Sequence, residues 1–411
     1  IVGVFEDDTI KKMDYQSGGG PDGTWDDITG ALSFSVDQDD LSFFSIGEDT
    51  LLIEDGLNTT APFKWTGSGN AAALGGSPPN ATIIVYHKLH AFAAGSDSAP
   101  STLSFSNLGD IENWTTGLSG NVSVETNDGT VITALVPGFD SLYIWKGAKD
   151  FSGGSIWRLS GDDKDNFVLQ RMVKDIGTAS PHSIVLVGND FIFMDSKGDY
   201  YIYDGGIKVR LISAKIEGTT GGLNFARFNK VVSREFEKDF YVSLSNTGNL
   251  THNVVLQFDT FHLAWLKHKG INANAFIAAD GGTGKDSLFF QDYSGFLQEF
   301  PKGTNDDGTA IDAFYLTKQY RFPDLPINKT FQNSFTYLNQ EGAYNISLEL
   351  RTDLQTSGST QTISLAGTSS AYGTARFGTD VYGGQNLIIG RLEHGQEGKF
   401  FQLKFSNGKE R

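Results

Sequence analysis

The chain has no cysteine among its 411 residues. No disulfide framework, thiolate zinc site or cysteine nucleophile is therefore open to it, and stability has to come from packing and sheet hydrogen bonds. No apolar run approaches the roughly 18 residues that a membrane helix needs. Long amphipathic-helix patterns are missing as well. Positive charge is scarce: 32 Lys and Arg face 49 Asp and Glu, for a formal net charge of -17, and no segment is rich in Lys or Arg. Tight nucleic-acid binding relies on those residues to neutralise phosphates, so this balance argues against a dedicated DNA or RNA binder. It does not argue against a surface past which DNA slides, and solubility accounts for most of the carboxylates.

What is present reads as all-β. The chain carries 49 glycines, 31 phenylalanines and 14 tyrosines, against a glycine content of roughly 7% in ordinary globular chains. Short apolar stretches alternate with Gly, Asp and Asn turns. A pattern of two polar residues followed by Leu or Phe, then a strand, recurs at Leu41, Leu89, Leu142, Phe191, Phe240 and Leu288, with spacings of 48, 53, 49, 49 and 48 residues. A period of that size filled with short strands marks stacked β units such as propeller blades. We therefore expect a β-propeller over residues 31–305, with six blades favoured and seven if the N-terminal segment completes one. The six anchors should occupy equivalent buried strand positions. Residues 1–30, with an anchor-like Ile10, read as an arm or as strands that close the ring by pairing with the last blade. Beyond Pro301 the register breaks, and alternating stretches such as FQNSFTYLNQEGAYNISLELRTD predict a C-terminal antiparallel β-sandwich-like domain over 306–411.

Catalytic constellations do not emerge from the spacing. His87 and His90, three apart on a predicted strand, should point to opposite faces, and no HExxH occurs. Three acidic turns offer several oxygen ligands each: GDDKDN (Gly161 to Asn166), DSKGD (Asp195 to Asp199) and NDDG (Asn305 to Gly308). None matches the twelve-residue calcium loop, and solvated turns are the simpler reading. GSGNAA (Gly67 to Ala72) fits a dinucleotide pattern but precedes prolines and no helix. GTGKD (Gly282 to Asp286) has Ala279 where a phosphate loop needs its first glycine. We assign no catalytic residue, no cofactor-binding residue, no metal ligand and no cofactor.

The stretch Tyr86 to Trp114 runs as an apolar strand with HK-L followed by LSFSNLGDIENW. Together with TALVPGFDSLYIWKG, WRLSGDD, DIGTASPHSIVLVGNDFIFMDSKGDYYIYDGG and NDDGTAID, it resembles tail proteins of tailed bacteriophages that contain a β-propeller. The resemblance covers roughly Asp39 to Asp312. It implies a structural virion protein without enzymatic activity, a nozzle or hub component of a short tail. As partners it implies further copies in a ring, sixfold in such nozzles, other tail proteins such as an adaptor, needle or fibre, and viral DNA that passes without specific binding. Acidic turns at Asp7, Asp8, Asp39, Asp40, Asp162, Asp163, Asp306 and Asp307 are the candidates for lining such a channel. The alternative is a propeller that handles carbohydrate, as a glycosidase or receptor-binding adhesin; its six tryptophans suit sugar stacking and blade cores equally.

Overall fold

The computed structural model describes residues 1–16, 19–37, 40–148, 153–282, 284–300, 305–306, 309–321, 327–339, 345–365 and 387–407, with the backbone alone at 305–306, 309–310, 339 and 387–389. The chain divides into two compact units, Ile1–Pro301 and Lys302–Arg411.

The first unit is a β-propeller of seven antiparallel sheets laid down in chain order. Blade 1 holds Val2–Phe5, Thr9–Lys12 and Asp26–Asp27; blade 2 begins at Phe43–Gly47 and Thr50–Glu54; blade 3 at Ile83–His87 and His90–Ala94. Blades 4, 5 and 6 begin at Thr130–Gly138, Val185–Val187 and Val232–Phe236, and blade 7 holds Ala273–Asp280, Asp286–Asp292 and Leu297–Phe300. Blades 2 to 6 have four strands each, while blades 1 and 7 have three. First strands touch one another between blades 2 and 3, 3 and 4, 5 and 6, and 6 and 7, which places them innermost. Residues 1–30, read as an arm or as strands pairing with the last blade, form a sheet of their own, so the blades number seven, the count expected if this segment completes one, and not the favoured six. Gly19 and Gly20 lie against Gly282 so tightly that side chains there would crowd its backbone.

Alternation along each second strand explains how a blade is buried on both faces. In blade 4, Leu142 and Ile144 pack with Phe92, Leu103 and Phe105 of blade 3. Their neighbours Tyr143 and Trp145 pack with Phe191, Phe193 and Tyr203 of blade 5. The same weave joins blade 5 to 6 through Met194, Tyr200 and Phe240, and blade 6 to 7 through Tyr241, Val255 and Leu288. Leu142, Phe191, Phe240 and Leu288 thus share one role, each pointing at the preceding blade with no exposed surface.

Leu41 and Leu89 do not share it. Leu41 precedes the first strand of blade 2 and is half-buried. Leu89 is 53% exposed and sits in the turn between His87 and His90. Their counterparts are Leu51 and Ala91, which follow the hairpin turn at the same offset as Leu142. The confusion has a physical source. First and second strands are joined by two-residue turns at Glu48-Asp49, Lys88-Leu89, Phe139-Asp140 and Glu237-Lys238, all eight residues having φ between 46° and 71°. Such turns match the twist of the strands but normally signal themselves with Asn-Gly or Asp-Gly. Here ordinary residues occupy the left-handed positions, so a Leu in a turn reads as the start of a strand.

The second unit is built from two layers. One sheet runs in the order Phe314–Leu316, Phe400–Asn407, Asn345–Thr352, Ser359–Ser364, and Lys329–Asn339 pairs separately with Leu387–Gly398. Leu348, Ile363 and Leu392 bring the layers together, with Leu338, Leu403 and Phe405 packed around them. This is a sandwich-like antiparallel arrangement.

Candidate functional site

Because every blade is a meander starting on its inner strand, turns between first and second strands gather on one face of the propeller. The segments that enter each first strand gather on the other, and there the axis is filled. Leading into blade 5, Gly177 to Ser183 carries Thr178, Ser180 and Ser183, all without exposed surface. Their hydroxyls bond one another and the chain: Thr178 Oγ1 lies 2.8 Å from Ser183 Oγ, and Ser180 Oγ donates to Val231 O at 2.6 Å. His182 stacks on Phe43 of blade 2 at 4.3 Å between ring centroids, and Lys230, before blade 6, reaches Asp40 at 3.7 Å. Burial pushes the His182 imidazole down to about 4, against a raising bond to the Leu41 backbone.

Beside this plug lies a cavity of about 240 Å³ lined by Leu41, Phe43, Thr82, Asp97, Pro181 and Lys230, among others. It is smaller than the roughly 300 Å³ at which small-molecule clefts begin. A second cavity of about 490 Å³ borders blade 4, where Glu125 pairs with Arg171 at 2.9 Å. The buried Lys146 beneath it is fully satisfied by Asp128 and the carbonyls of Val124 and Glu125 at 2.6–3.0 Å.

The acidic turns do not line a single surface. Asp7 and Asp8 lie in the first hairpin turn of blade 1; Asp7 takes a bond from Lys11 at 2.6 Å, and Asp8 accepts from Val36 N at 2.9 Å. Asp162 shares Lys88 with Asp140, at 2.8 and 3.1 Å. Asp163 caps the amide of Asp165. These four belong to the hairpin face, whereas Asp40 sits at the plugged end of the axis. Asp39, Asp307 and the side chain of Asp306 lie outside the described residues, as does most of NDDG.

The two other oxygen-rich loops are turn caps. Asn166 Oδ1 accepts from the amides of Asp162 and Asp163, and Asp195 Oδ1 from those of Lys197 and Asp199. Asp292 of blade 7 repeats the second device with Ser294 and Phe296. His87 and His90 are not on opposite faces. The turn between them makes them direct cross-strand partners, and His90 is buried with Nδ1 donating to Ser106 O at 2.6 Å among Phe92, Phe105 and Phe167. Among the described residues no three His, Cys, Asp or Glu side chains group to hold a metal.

The segment Ser106 to Trp114 is a joint between blades. Asn107 N bonds Asn113 O at 2.7 Å, closing the loop, and Gly109 N reaches Leu89 O at 2.8 Å. Trp114 is buried with its indole donating to Ile111 O at 3.0 Å. Glu112 crosses to blade 2, accepting from Lys64 Nζ at 2.7 Å and Gly75 N at 2.8 Å.

One group escaped the sequence. Glu54, at the end of the second strand of blade 2, has no exposed surface, and its carboxyl finds no partner beyond the neighbouring Asp55. Burial, then the charge of Asp55, pushes its carboxyl up to about 10. A group raised in the folded state stabilises below its unfolded value, near 4.5, and loses that contribution as pH climbs toward the folded value. The Glu54 contribution should fall between about pH 5 and 9, by at most ~1.4 kcal/mol per pH unit, the slope of one proton, while below pH 6.5 the lowered His182 imidazole works in the opposite direction. Glu54→Gln should flatten that slope in denaturant titrations; parallel slopes would mean Glu54 holds no proton.

No protein-family model matches the chain, and no curated protein matches it. Among solved structures, the computationally designed Ika8 protein is similar over 72% of this chain and 92% of its own, at 12% identity and a TM-score of 0.41. BamB from Moraxella catarrhalis is similar over 73% and 95%, at 11% and 0.35. An exo-β-1,3-galactanase from Phanerochaete chrysosporium is similar over 82% and 96%, at 10% and 0.32. At such levels these likenesses carry no functional argument, and the propeller assignment rests on the sheets of this chain.

Proposed function

We propose that this chain is a structural component of a phage tail, one copy in a closed ring around the path of exiting DNA, working by geometry and charge without catalysis. The observation that carries the reading is how the family-like residues are spent. Ser106 to Trp114 joins blades 2 and 3, Gly177 to Ser183 plugs the axis, and Asn189 to Gly206 is the body of blade 5. A sequence signature used up in architecture fits a scaffold. With its own axis filled, a single propeller is not the conduit; several copies around a common axis would be, through a heterologous interface that closes on itself. Duplex DNA carries about one negative charge per 1.7 Å. On the hairpin face Glu48, Asp49, Asp140, Asp162, Asp163 and Glu237 outnumber Lys88, Lys164 and Lys238, which leaves a duplex little to grip.

The rival reading, a carbohydrate-handling propeller, is tested by a glycan array and a glycosidase panel on the purified chain. Silence on both is expected. Saturable glycan binding or turnover would replace the structural reading.

A further inference from the structure

The edge of an antiparallel sheet presents unpaired backbone, and folded chains blunt it with charge, proline or a covering element. In the second unit the edge of the larger sheet is made by Phe314–Leu316 and Tyr320–Arg321, which pair with Phe400–Asn407 and, among the described residues, with nothing on their other side. It is not blunted. Residues 311–316 are exposed in succession, with Phe314 at 57% and Tyr315 at 66%. From Ala313 to Arg321 the edge carries two exposed cations, Lys318 and Arg321, and no carboxylate.

Cations and rings are interleaved along this strip. Lys404 Nζ lies over the Phe314 ring at 5.1 Å, Lys318 Nζ over Tyr320 at 5.8 Å, and the Arg321 guanidinium over Phe400 at 5.9 Å. Such contacts hold a cation against a ring without neutralising it, so the strip still attracts carboxylates. Glu349 of the same sheet is taken up by Arg351 at 3.0 Å and reaches Lys404 only at 4.0 Å.

The complementary charge lies in the other unit. Residues 302–411 hold eleven Lys and Arg and eleven Asp and Glu, so the whole surplus of 17 carboxylates belongs to residues 1–301. Residues 1–40, with ten Asp and Glu against two Lys, supply eight of them. There the outer strand of blade 1, Asp26–Asp27, is exposed, and Lys12 is shared between Asp14 and Asp26. Among the described residues no fourth strand covers this edge, as one does in blades 2 to 6.

We propose that the strip docks on the acidic outer edge of blade 1 in a second copy of the chain, the contact that repeats around the ring; the inference rests on the ring reading above. A contact between two different surfaces is heterologous and can close on itself, and each copy brings both halves. Opposite charge orients the encounter and sets its register, while the exposed rings supply the area to be buried.

The test is charge reversal in the full chain, read by light scattering. Lys318→Glu with Arg321→Glu, and separately Asp26→Lys with Asp27→Lys, should each weaken self-association about tenfold or more, and mixing the two variants should restore it, since unlike charges then meet again at both halves. The absence of cysteine adds a second readout: Tyr315→Cys and Asp27→Cys chains, mixed under oxidising conditions, should form disulfide-linked pairs that neither forms alone. Should a reversed variant misfold by circular dichroism, the cysteine pair decides. Unimpaired association of either reversed variant, a mixture no better than its parts, or no linked pairs would overturn the contact and leave the ring standing. A wild-type chain that stays monomeric would overturn the ring and the contact with it. Saturable binding of a single-stranded oligonucleotide, lost in Lys318→Glu with Arg321→Glu, would assign the strip to nucleic acid instead.

Discussion

Phe191→Asp leaves the protein unfolded or aggregated, whereas Leu89→Asp changes its stability by less than about 1 kcal/mol. Both positions begin with the same sequence pattern, yet Phe191 has no exposed surface and its ring meets Trp145, Tyr143 and Tyr203 at 5.0–6.0 Å. An aspartate there loses those contacts and buries an unpaired charge, at a cost of about 4 kcal/mol or more. Leu89 is exposed at φ 61°, a backbone region that Asp tolerates better than Leu. Urea titrations followed by circular dichroism, with soluble yield as a control, separate the two outcomes. Equal destabilisation would remove the distinction between turn and anchor.

A chain ending at Pro301 stays folded and unfolds cooperatively, but no longer assembles. Among the described residues, every hydrophobic cluster between blades is built from side chains up to Phe300. The second unit has a core of its own around Leu348, Ile363 and Leu392. It also displays Phe314, Tyr315, Phe335 and Tyr337, each more than half exposed, which suits a role in contacts with other chains. Light scattering and calorimetry on the truncated and full chains measure both effects. Unfolding of the truncated chain would mean that the propeller depends on residues beyond Pro301.

The period of about 49 residues was legible because blades repeat a physical unit, an apolar second strand buried on both faces. From Leu142 to Leu288 that strand is long and aromatic, and Leu142, Phe191, Phe240 and Leu288 lie on it without exposed surface. In blades 2 and 3 it is built from Leu51 and Ala91, which carry less signal than the Leu residues at 41 and 89 nearby. Blade 1 showed only as an incomplete unit around Ile10, because its strands are short and its third has only Asp26 and Asp27. The pairing of His87 with His90 depended on a turn of Lys and Leu that no composition rule announces. Glu54 was invisible for another reason: ILE-type strands ending in an acidic residue before Asp and Gly read as a solvated turn, and only burial shows that the carboxylate faces inward.

Particle imaging of the purified full-length chain addresses the structural role itself. A closed ring of copies whose inner wall is acidic is the predicted result. A stable monomer at high concentration, or a ring with a basic inner wall, would contradict it.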